Sequence, residues 1–368
     1  MQYSQEFSKL DSVKLGMTLY SSSQSQVLEA IENAESNLSA LSVLLSPAAE
    51  PFIELMAQAS NVLTRQRFGQ NINMYLPMYL SNLCANECDY CGFTMSNKIR
   101  RKTLSIEEIT SEINVIKAKG YDNILLVSGE HETKVGFDYF KSVMPIIKDN
   151  FSHVSLEVQP LKQDEYQQLT ALGLDAVMIY QETYQQQTYT KHHTRGKKQD
   201  FGYRLNTPDR VAAAGVDKIG LGVLLGLDDW RQDALMLGHH LDYLQNKYWR
   251  TKYSLSLPRL RPCVGGITPK TVISDLGLVQ MICAFRLFNP QLEISLSTRE
   301  SASLRDNLLP LGITNMSAES STQPGGYSQA DTELDQFEID DNRTTLQVVD
   351  AIRHRGFNPV WKDWQSQW

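Results

Sequence analysis

The residues with the clearest chemical meaning are three cysteines, Cys84, Cys88 and Cys91, in the pattern C-x3-C-x2-C. A cubic [4Fe–4S] cluster normally takes one thiolate on each of its four irons. Three cysteines on one short loop would hold such a cluster and leave one iron open to a small molecule, as catalytic metal sites do. Tyr90 precedes the last cysteine and Gly92 follows it, so we expect an aromatic wall and a flexible exit beside the metal.

Other interpretations of the triplet stay open at this point. Zinc prefers four ligands, and no histidine lies between Gln2 and Gly129, so a fourth zinc ligand would have to come from a distant part of the chain. A disulfide framework is disfavoured because five cysteines in 368 residues are sparse and odd in number. A chance cluster of buried thiols is the third alternative. The spacing favours the iron–sulfur cluster over each of these.

Composition is that of an ordinary globular protein. Hydrophobic residues make up 42% of the chain, enough for a large core, and the net charge is −7 with both signs mixed along the sequence. There is no basic face for nucleic acid, and no apolar run approaches the length of a membrane span. The polar residues 1–9 hold no apolar segment of a signal peptide, and sparse cysteines fit a reducing compartment. We therefore expect a cytoplasmic protein that binds neither nucleic acid nor membranes.

The pattern of elements predicts an α/β fold, a (β/α)8 TIM-type barrel over 71–320, with a helical N-terminal extension over 1–70 and a C-terminal tail over 321–368 that packs on the barrel. Short β-rich runs alternate with amphipathic helices, which predicts a parallel sheet. The eight predicted strands are 74–81, 123–128, 154–159, 176–181, 218–225, 253–258, 292–297 and 313–318. A barrel places its active site at the carboxyl ends of the strands, and the cysteine triplet follows the first strand. An open doubly wound sheet is the alternative.

Several helices carry explicit signals. Ser105 and Glu108 form a predicted capping box, and isoleucines from Ile106 to Ile116 then recur on one face until Gly120. Further helices are predicted over 27–34, 54–67, 164–172, 207–214 and 346–354.

The cysteine loop, with its aromatic residue and its place after the first predicted strand, resembles that of the radical S-adenosylmethionine (SAM) superfamily. The resemblance implies a [4Fe–4S] cluster on Cys84, Cys88 and Cys91, with SAM bound to the open iron through its amino and carboxylate groups. In such enzymes an electron from the reduced cluster cleaves the sulfonium and produces a 5′-deoxyadenosyl radical. The superfamily motif itself covers only 84–91, and its structural context extends over 74–320.

The same resemblance suggests residues that bind SAM. Ser128, Gly129 and Glu130 stand where the superfamily usually has a Gly-Gly-Glu-like segment for the amino group, and the serine is a mild departure. Strand alternation puts Glu157 opposite its apolar neighbours, where it would meet a ribose or sulfonium, or form an ion pair with a neighbouring strand. The other candidates are Tyr90 beside the cluster, Arg204 (with Arg210 second) for the carboxylate, and Gly222 in a glycine-rich strand whose backbone would contact adenine.

Later segments are similar to those of the aromatic amino acid lyases within this superfamily: Tyr-Gln-Glu-Thr-Tyr at 180–184, Ser-Thr-Arg-Glu at 297–300, Met-Ser-Ala-x-Ser-Ser at 316–321, Pro-Gly-Gly-Tyr at 324–327 and Val-Trp-Lys-Asp-Trp at 360–364. The similarity implies that the radical takes a hydrogen from the amino group of L-tyrosine. The Cα–Cβ bond then breaks, giving p-cresol and 2-iminoacetate (dehydroglycine) for the thiazole of thiamine. Arg299 would hold the tyrosine carboxylate, Ser317 or Ser320 would assist, and Tyr79 would line the pocket. The implied partners are a thiazole synthase subunit and a flavodoxin- or ferredoxin-type reductant.

Two other functions stay as alternatives, a tryptophan lyase and a non-catalytic metal-cluster scaffold. The absence of cysteines after Cys283 argues against the hydrogenase-maturation lyases, and Cys263 and Cys283 are too few for the second cluster of a biotin synthase. We interpret both as structural thiols. The basic run 191–198 is interpreted as a solvated loop or lid, and Trp361 and Trp364 are expected to pack over the barrel.

Overall fold

The computed structural model describes residues 2–33, 37–329 and 334–362. Ala34, at the end of one predicted helix, and Trp364 lie outside the described residues.

Eight parallel strands form a closed barrel. The strands are β1 Asn71–Ser81, β2 Asn123–Ser128, β3 His153–Glu157, β4 Ala176–Met178, β5 Lys218–Gly222, β6 Lys252–Ser256, β7 Glu293–Leu296 and β8 Asn315–Ser317. Each strand pairs with the next, and β8 returns to β1 with Ser317 opposite Tyr75. This closure confirms the predicted TIM-type barrel and excludes the open doubly wound sheet.

Alternation along β1 explains its two faces. Met74, Leu76, Met78 and Leu80 are fully buried in the main hydrophobic core, between the sheet and the surrounding helices. Tyr75 and Tyr79, offset by one residue from this set, line the interior of the barrel. Because side chains alternate across a strand, a polar or aromatic residue at every second position lies where a ligand could be bound.

Most strands end earlier than the sequence predicts. β4 ends at Met178 rather than at residue 181, although Ile179 and Gln181 still donate backbone hydrogen bonds to Gly220 and Gly222, at 2.9 and 3.2 Å. Glu182, with a φ of 70°, still forms an isolated bridge with Val223, and the chain leaves the sheet after it. The strand ends therefore change into loops at the edge where the predicted site lies.

Helices surround the barrel, and the helices of the N-terminal extension pack mainly against two of them. The N-terminal extension contains α1 Tyr3–Phe7, α2 Ser12–Tyr20, α3 Gln24–Asn33, α4 Leu38–Leu45, a 3-10 helix Pro47–Phe52 and α5 Ile53–Phe68. Between barrel strands lie α6 Ile106–Ala118, α7 Phe137–Asn150, α8 Gln163–Ala171, α9 Gln186–His192, α10 Phe201–Leu205, α11 Thr207–Ala213, α12 Trp230–Lys247, α13 Asp275–Phe288 and α14 Ala302–Leu308. Two further 3-10 helices span Lys197–Gln199 and Leu309–Leu311. The chain continues into α15 Thr345–His354 and a last strand, β9 Asn358–Val360.

The predicted capping box of α6 is confirmed, since the Ser105 side chain accepts from the Glu108 backbone and the Glu108 side chain accepts from the Ser105 backbone. Gly120, just past the helix, has the left-handed φ of 90° that favours glycine. Ile109 and Ile116 are buried as expected, but Ile106, in the first turn of the helix, is 39% exposed.

The two ends of the chain pack on different parts of the barrel. Near the N-terminus, Gln280 of α13 donates hydrogen bonds to the Leu44 and Ser46 carbonyls, which ties α4 to the barrel helices. Near the C-terminus, β9 pairs with the start of β1, and the Trp361 ring lies edge-on to Tyr121 at 5.0 Å.

In the described residues, no individual helix meets the length and hydropathy expected for crossing a membrane, whereas the bent pair Leu38–Leu45 and Pro47–Phe68 does so by length and composition alone.

Candidate active site

One cavity opens at the carboxyl ends of the barrel strands. All of the predicted site residues except Gly222 line it: Tyr79, Cys84, Cys88, Tyr90, Cys91, Ser128, Gly129, Glu130, Glu157, Arg204, Arg299, Ser317 and Ser320. The residues come from strands and loops all around the barrel. The fold therefore brings together side chains that are more than 200 positions apart in the sequence.

The cysteine loop is held rigidly at the edge of this cavity. The Arg101 guanidinium donates to the backbone carbonyls of Asn82, Phe93, Thr94 and Asn97, at 2.7–3.1 Å. Backbone bonds from Cys91 to Cys88 and from Thr94 to Cys91 close the turn around the cysteines. Arg101 was not predicted as a site residue, but it fixes the loop that presents the three sulfurs.

Burial raises the pKa of all three thiols, that of Cys84 to about 11. Bound metal ions reverse this effect, because they favour the thiolate over the thiol. The described residues contain no group of three or more His, Cys, Asp or Glu side chains arranged to bind one metal ion. A cubic cluster is bound through a different iron at each thiolate, so its cysteines need not converge on one point.

Beside the cysteine loop lies a buried cluster of four charged side chains. Arg204 donates to Glu130 at 3.0 Å, and Lys198 pairs with Glu182 at 2.7 Å. Arg204 also lies 3.7 Å from Glu182, and Asn86 donates to the second oxygen of Glu130 at 2.7 Å. Burial acts to raise the pKa of Glu130, but attraction by Arg204 and Lys198 outweighs it and holds the pKa below its usual range. The cluster therefore stays ionised, with two positive and two negative charges.

The interpretation of residues 191–198 as a solvated loop is wrong for three of the eight residues. His192 and His193 are buried, and the Lys198 side chain is only 10% exposed. A short antiparallel pair, His193–Arg195 with Glu87–Cys88, fixes the run against the cysteine loop. Burial is possible because the polar groups are matched: Lys198 has Glu182, and His192 lies 2.8 Å from Asp89.

Tyr90, predicted as an aromatic wall, is held by His193. The His193 Nε2 atom lies 2.6 Å from the Tyr90 hydroxyl, and its Nδ1 atom lies 2.7 Å from the Tyr189 carbonyl. Burial lowers the pKa of His193 to about 2, so the ring is neutral. A carbonyl can only accept, so Nδ1 carries the proton and Nε2 accepts a hydrogen bond from Tyr90.

Arg299 lies on the other side of the cavity without a carboxylate partner among the described residues. Glu300, its neighbour in the sequence, accepts from Arg259 instead, and Glu319, which follows β8, pairs with Lys119. The Arg299 guanidinium instead stacks on the Phe337 ring, 3.5 Å from its centroid. One of its N–H groups donates to the Arg259 carbonyl at 3.4 Å, and the remaining donors of this partly buried guanidinium are suited to bind a ligand carboxylate.

Glu157 lies at the end of β3, beside Val127 of β2, and faces the same cavity. The Tyr180 hydroxyl lies within hydrogen-bonding reach of it, and among the described residues no lysine or arginine forms an ion pair with it. Burial, only partly offset by Tyr180 and Arg299, raises the pKa of Glu157 to about 7. The predicted ion pair with a neighbouring strand is therefore not found, and the carboxyl is available to a ligand.

Small polar groups complete the lining. The hydroxyls of Ser128 and Ser320 are buried with no hydrogen-bond partner in the described residues. Buried hydroxyls in proteins are normally paired, so these two indicate contacts with a bound molecule. Gly129 has a further role, because a Cβ there would lie 2.5 Å from the Leu83 carbonyl of the cysteine loop.

Gly222 is the predicted site residue that the structure does not bring to the cavity surface. A Cβ there would lie 2.3 Å from the Ser256 carbonyl and 2.7 Å from the Tyr180 ring. The flat ring that packs against this glycine is therefore Tyr180 of the same chain. A direct contact between Gly222 and adenine is not supported.

The sequence did not predict several residues of the cavity. Asn86, Tyr180, Glu182, Lys198, Gln336 and Phe337 also line it. Asn86 lies within the cysteine loop, and Tyr180 and Glu182 lie within the segment 180–184, so the sequence held a usable signal for these three. Lys198 belongs to a basic run that gave no such signal. Gln336 and Phe337 come from an irregular segment with no periodicity, and no signal pointed to them.

Comparison with known proteins places this cavity in a family. The Radical SAM superfamily model matches residues 78–237, and the Biotin and Thiamin Synthesis associated domain matches residues 256–358. The chain is 50% identical over 365 residues to the 2-iminoacetate synthase of Escherichia coli (strain K12), which covers 99% of this chain and 97% of the relative. The chain belongs to the 2-iminoacetate synthase family of radical SAM proteins. The predicted membership of the radical SAM superfamily is thereby confirmed.

Two further relatives agree with this placement. The 2-iminoacetate synthase of Salmonella typhimurium (strain LT2) is 52% identical over 341 residues, covering 92% of this chain and 90% of the relative. Among solved structures, HydG, a maturase of the [FeFe]-hydrogenase, superimposes with a TM-score of 0.91 at 29% identity, covering 95% of this chain and 80% of that one. The barrel of this 2-iminoacetate synthase family member is thus shared with a hydrogenase maturase.

The residues of the cavity fit the cofactors of a radical SAM protein. Three thiols face a space that also holds the paired Glu130 and Arg204, and SAM carries an ammonium and a carboxylate that match these two charges. The unpartnered Ser128 hydroxyl stands beside them in the sequence and lines the same space. In this 2-iminoacetate synthase family member, the three thiols are therefore suited to bind a cluster, and Glu130 and Arg204 are suited to bind the amino acid part of SAM.

Proposed function

We propose that the protein is a radical SAM lyase that cleaves the Cα–Cβ bond of L-tyrosine to p-cresol and 2-iminoacetate, which contributes to the thiazole of thiamine. The observation that carries the proposal is that Arg299, partly buried and without a carboxylate partner in the described residues, shares one cavity with the three cysteines in a chain of this family. A scaffold that only stored a cluster would not need a guanidinium in its cavity with donors left for a ligand.

Cys84, Cys88 and Cys91 would hold the [4Fe–4S] cluster, and SAM would occupy the space beside it. When bound, the two cofactors supply the adenosyl radical that starts the reaction. The Glu130–Arg204 pair can exchange partners, because Glu130 can accept from the SAM ammonium while Arg204 donates to its carboxylate. Tyr90 and Ser128 would complete this side, and Glu157 faces the space between SAM and substrate.

The substrate end is formed by residues across the barrel. Arg299 would bind the tyrosine carboxylate through two parallel hydrogen bonds, and Ser317 and Ser320 lie on the neighbouring strand β8 and the loop after it. Tyr79 would contact the substrate from β1. Phe337 covers the guanidinium, which keeps water away and strengthens the charge-assisted bonds.

The partners follow from the family. A thiazole synthase subunit would receive the unstable imine, and a flavodoxin- or ferredoxin-type protein would supply electrons. Both are proposals supported by the similarity to 2-iminoacetate synthases.

The test is an anaerobic assay of the iron-reconstituted protein with SAM, a strong reductant and L-tyrosine. We expect p-cresol and 5′-deoxyadenosine to form together, and neither to form with Cys88→Ala. Equal turnover of L-tryptophan would assign the chain to the tryptophan lyases. Cluster spectra that do not change when SAM is added would instead favour the non-catalytic scaffold.

A further inference from the structure

Residues 334–341, here called the C-terminal strap, run across the cysteine loop. The Gly92 backbone N–H donates to the Gln336 carbonyl at 3.1 Å, and the Gln336 N–H donates to the Thr322 carbonyl at 3.0 Å. A Cβ at residue 92 would lie 2.6 Å from the Gln336 carbonyl oxygen. Gly92 is therefore required for the strap to approach this closely, which gives it a role beyond a flexible exit from the cysteine loop.

The Gln336 side chain connects a cysteine to the wall of the substrate pocket. Its Nε2 atom lies 3.6 Å from the Cys91 sulfur, and its Oε1 atom accepts a hydrogen bond from the Tyr79 hydroxyl at 2.8 Å. Because the amide oxygen is used by Tyr79, the amide N–H groups point toward the sulfur. Phe337, the next residue, stacks on Arg299, so the strap contacts both halves of the cavity.

Other hydrogen bonds to the cysteine sulfurs come from the backbone. The Asn86 backbone N–H donates to the Cys84 sulfur at 3.5 Å, and the Phe93 backbone acts as a hydrogen-bond donor to the Cys91 sulfur. Substituting those side chains would leave the backbone donors in place. Among the residues that the structure describes, Gln336 is the side-chain donor to the triplet whose replacement removes a hydrogen bond to sulfur.

We propose that Gln336 is a positioning residue that donates a hydrogen bond to the Cys91 sulfur and thereby raises the reduction potential of the cluster bound there. The proposal rests on the proposed function, because it requires that a cluster is bound. A hydrogen bond to a cluster sulfur withdraws negative charge, which stabilises the reduced, more negative state more than the oxidised one. The same amide holds the Tyr79 hydroxyl, so the strap sets the position of one substrate-pocket residue as well.

The experiment is a redox titration of the reconstituted protein, followed by the paramagnetic signal of the reduced cluster, without SAM or tyrosine. Gln336→Met keeps the length of the side chain but removes the donor. We expect its equilibrium constant for one-electron reduction to fall about tenfold, which is a shift of about 59 mV to more negative potential. Gln336→Glu should shift it further in the same direction, because a carboxylate adds negative charge near the sulfur. The exposed Gln329→Met is the matched control and should keep the wild-type potential.

Tyr79→Phe tests the two hydrogen bonds of the Gln336 amide separately. It removes the bond from the Tyr79 hydroxyl to the amide oxygen and leaves the bond from the amide nitrogen to the Cys91 sulfur. Its reduction constant should stay within threefold of wild type. A Gln336→Met potential equal to that of wild type would overturn the proposal. Loss of iron in both Gln336 variants, with thermal unfolding unchanged, would also overturn it and make the residue structural. A wild-type protein that binds no cluster would refute the proposed function itself.

Discussion

Replacing Arg299 by glutamine tests how the substrate is held. In the proposed complex Arg299 makes two charge-assisted hydrogen bonds to a carboxylate, and the described residues offer that carboxylate no second cation in the same position. Each such bond contributes about 1.5–3 kcal/mol. The loss of both, partly compensated by the remaining amide, is about 3 kcal/mol, or roughly 150-fold in kcat/KM.

The fold should survive this change. Arg299 forms no ion pair with the described residues, and its stacking on Phe337 contributes about 1 kcal/mol. Burial also lowers the pKa of Arg299, so removing the charge relieves a desolvation cost. The iron content should therefore equal that of wild type.

The assay is p-cresol release as a function of tyrosine concentration, with the iron content measured in the same samples. Arg353→Gln, on α15 with a side chain 63% exposed, is the matched control and should behave as wild type. A kcat/KM for Arg299→Gln within threefold of wild type, at equal iron content, would refute the assigned role.

Three other perturbations have defined outcomes. Cys88→Ala should abolish the iron content and the brown colour, whereas Cys283→Ala, in the core helix α13, should keep both; a Cys88→Ala protein with full iron content would contradict the cluster assignment. Burial raises the pKa of Glu157 to about 7, above its unfolded value, so the contribution of this carboxyl to stability is lost as the pH rises through 7. Relative to wild type, the free energy of unfolding of Glu157→Gln should therefore increase by about 2 kcal/mol between pH 5 and pH 8. If urea titrations give the same difference between the two proteins at both pH values, this prediction is wrong. Lys198→Met should cost about 3 kcal/mol because it removes the cation closest to Glu182 and leaves this carboxylate only the more distant Arg204, at 3.7 Å. Adding Glu182→Gln should recover most of this loss, and additive effects of the two changes in a double-mutant cycle would show that the pair is not coupled.

The barrel could be predicted because its signals are local. The apolar alternation of β1 and the capping box of α6 lie within short windows, and the physics that fixes them acts over a few residues. Strand ends were placed less well. There the chain leaves the sheet to build the cavity, as at Glu182 with its positive φ, and the hydrophobic pattern continues past the last ladder bond.

The site was predictable where a motif or a strand end marked it. The cysteines, Glu130 and Arg299 belong to this group, and the structure places them around one cavity. Lys198 was not recognised because a basic run normally lies in solvent, and only the fold reveals that Glu182 is close enough to neutralise it. The assignment of Gly222 to adenine did not anticipate that Tyr180 would fill the space left by the missing side chain.

The closing contacts of the barrel have a consequence for the order in which the protein matures. Cys91 and Gln336 are 245 residues apart, and β1 finds its partner β8 only when residue 315 has been made. During synthesis on the ribosome the cysteine loop is therefore complete long before the strap that covers it exists. A cluster bound before the strap is made would therefore be enclosed only when the C-terminal residues fold against the loop.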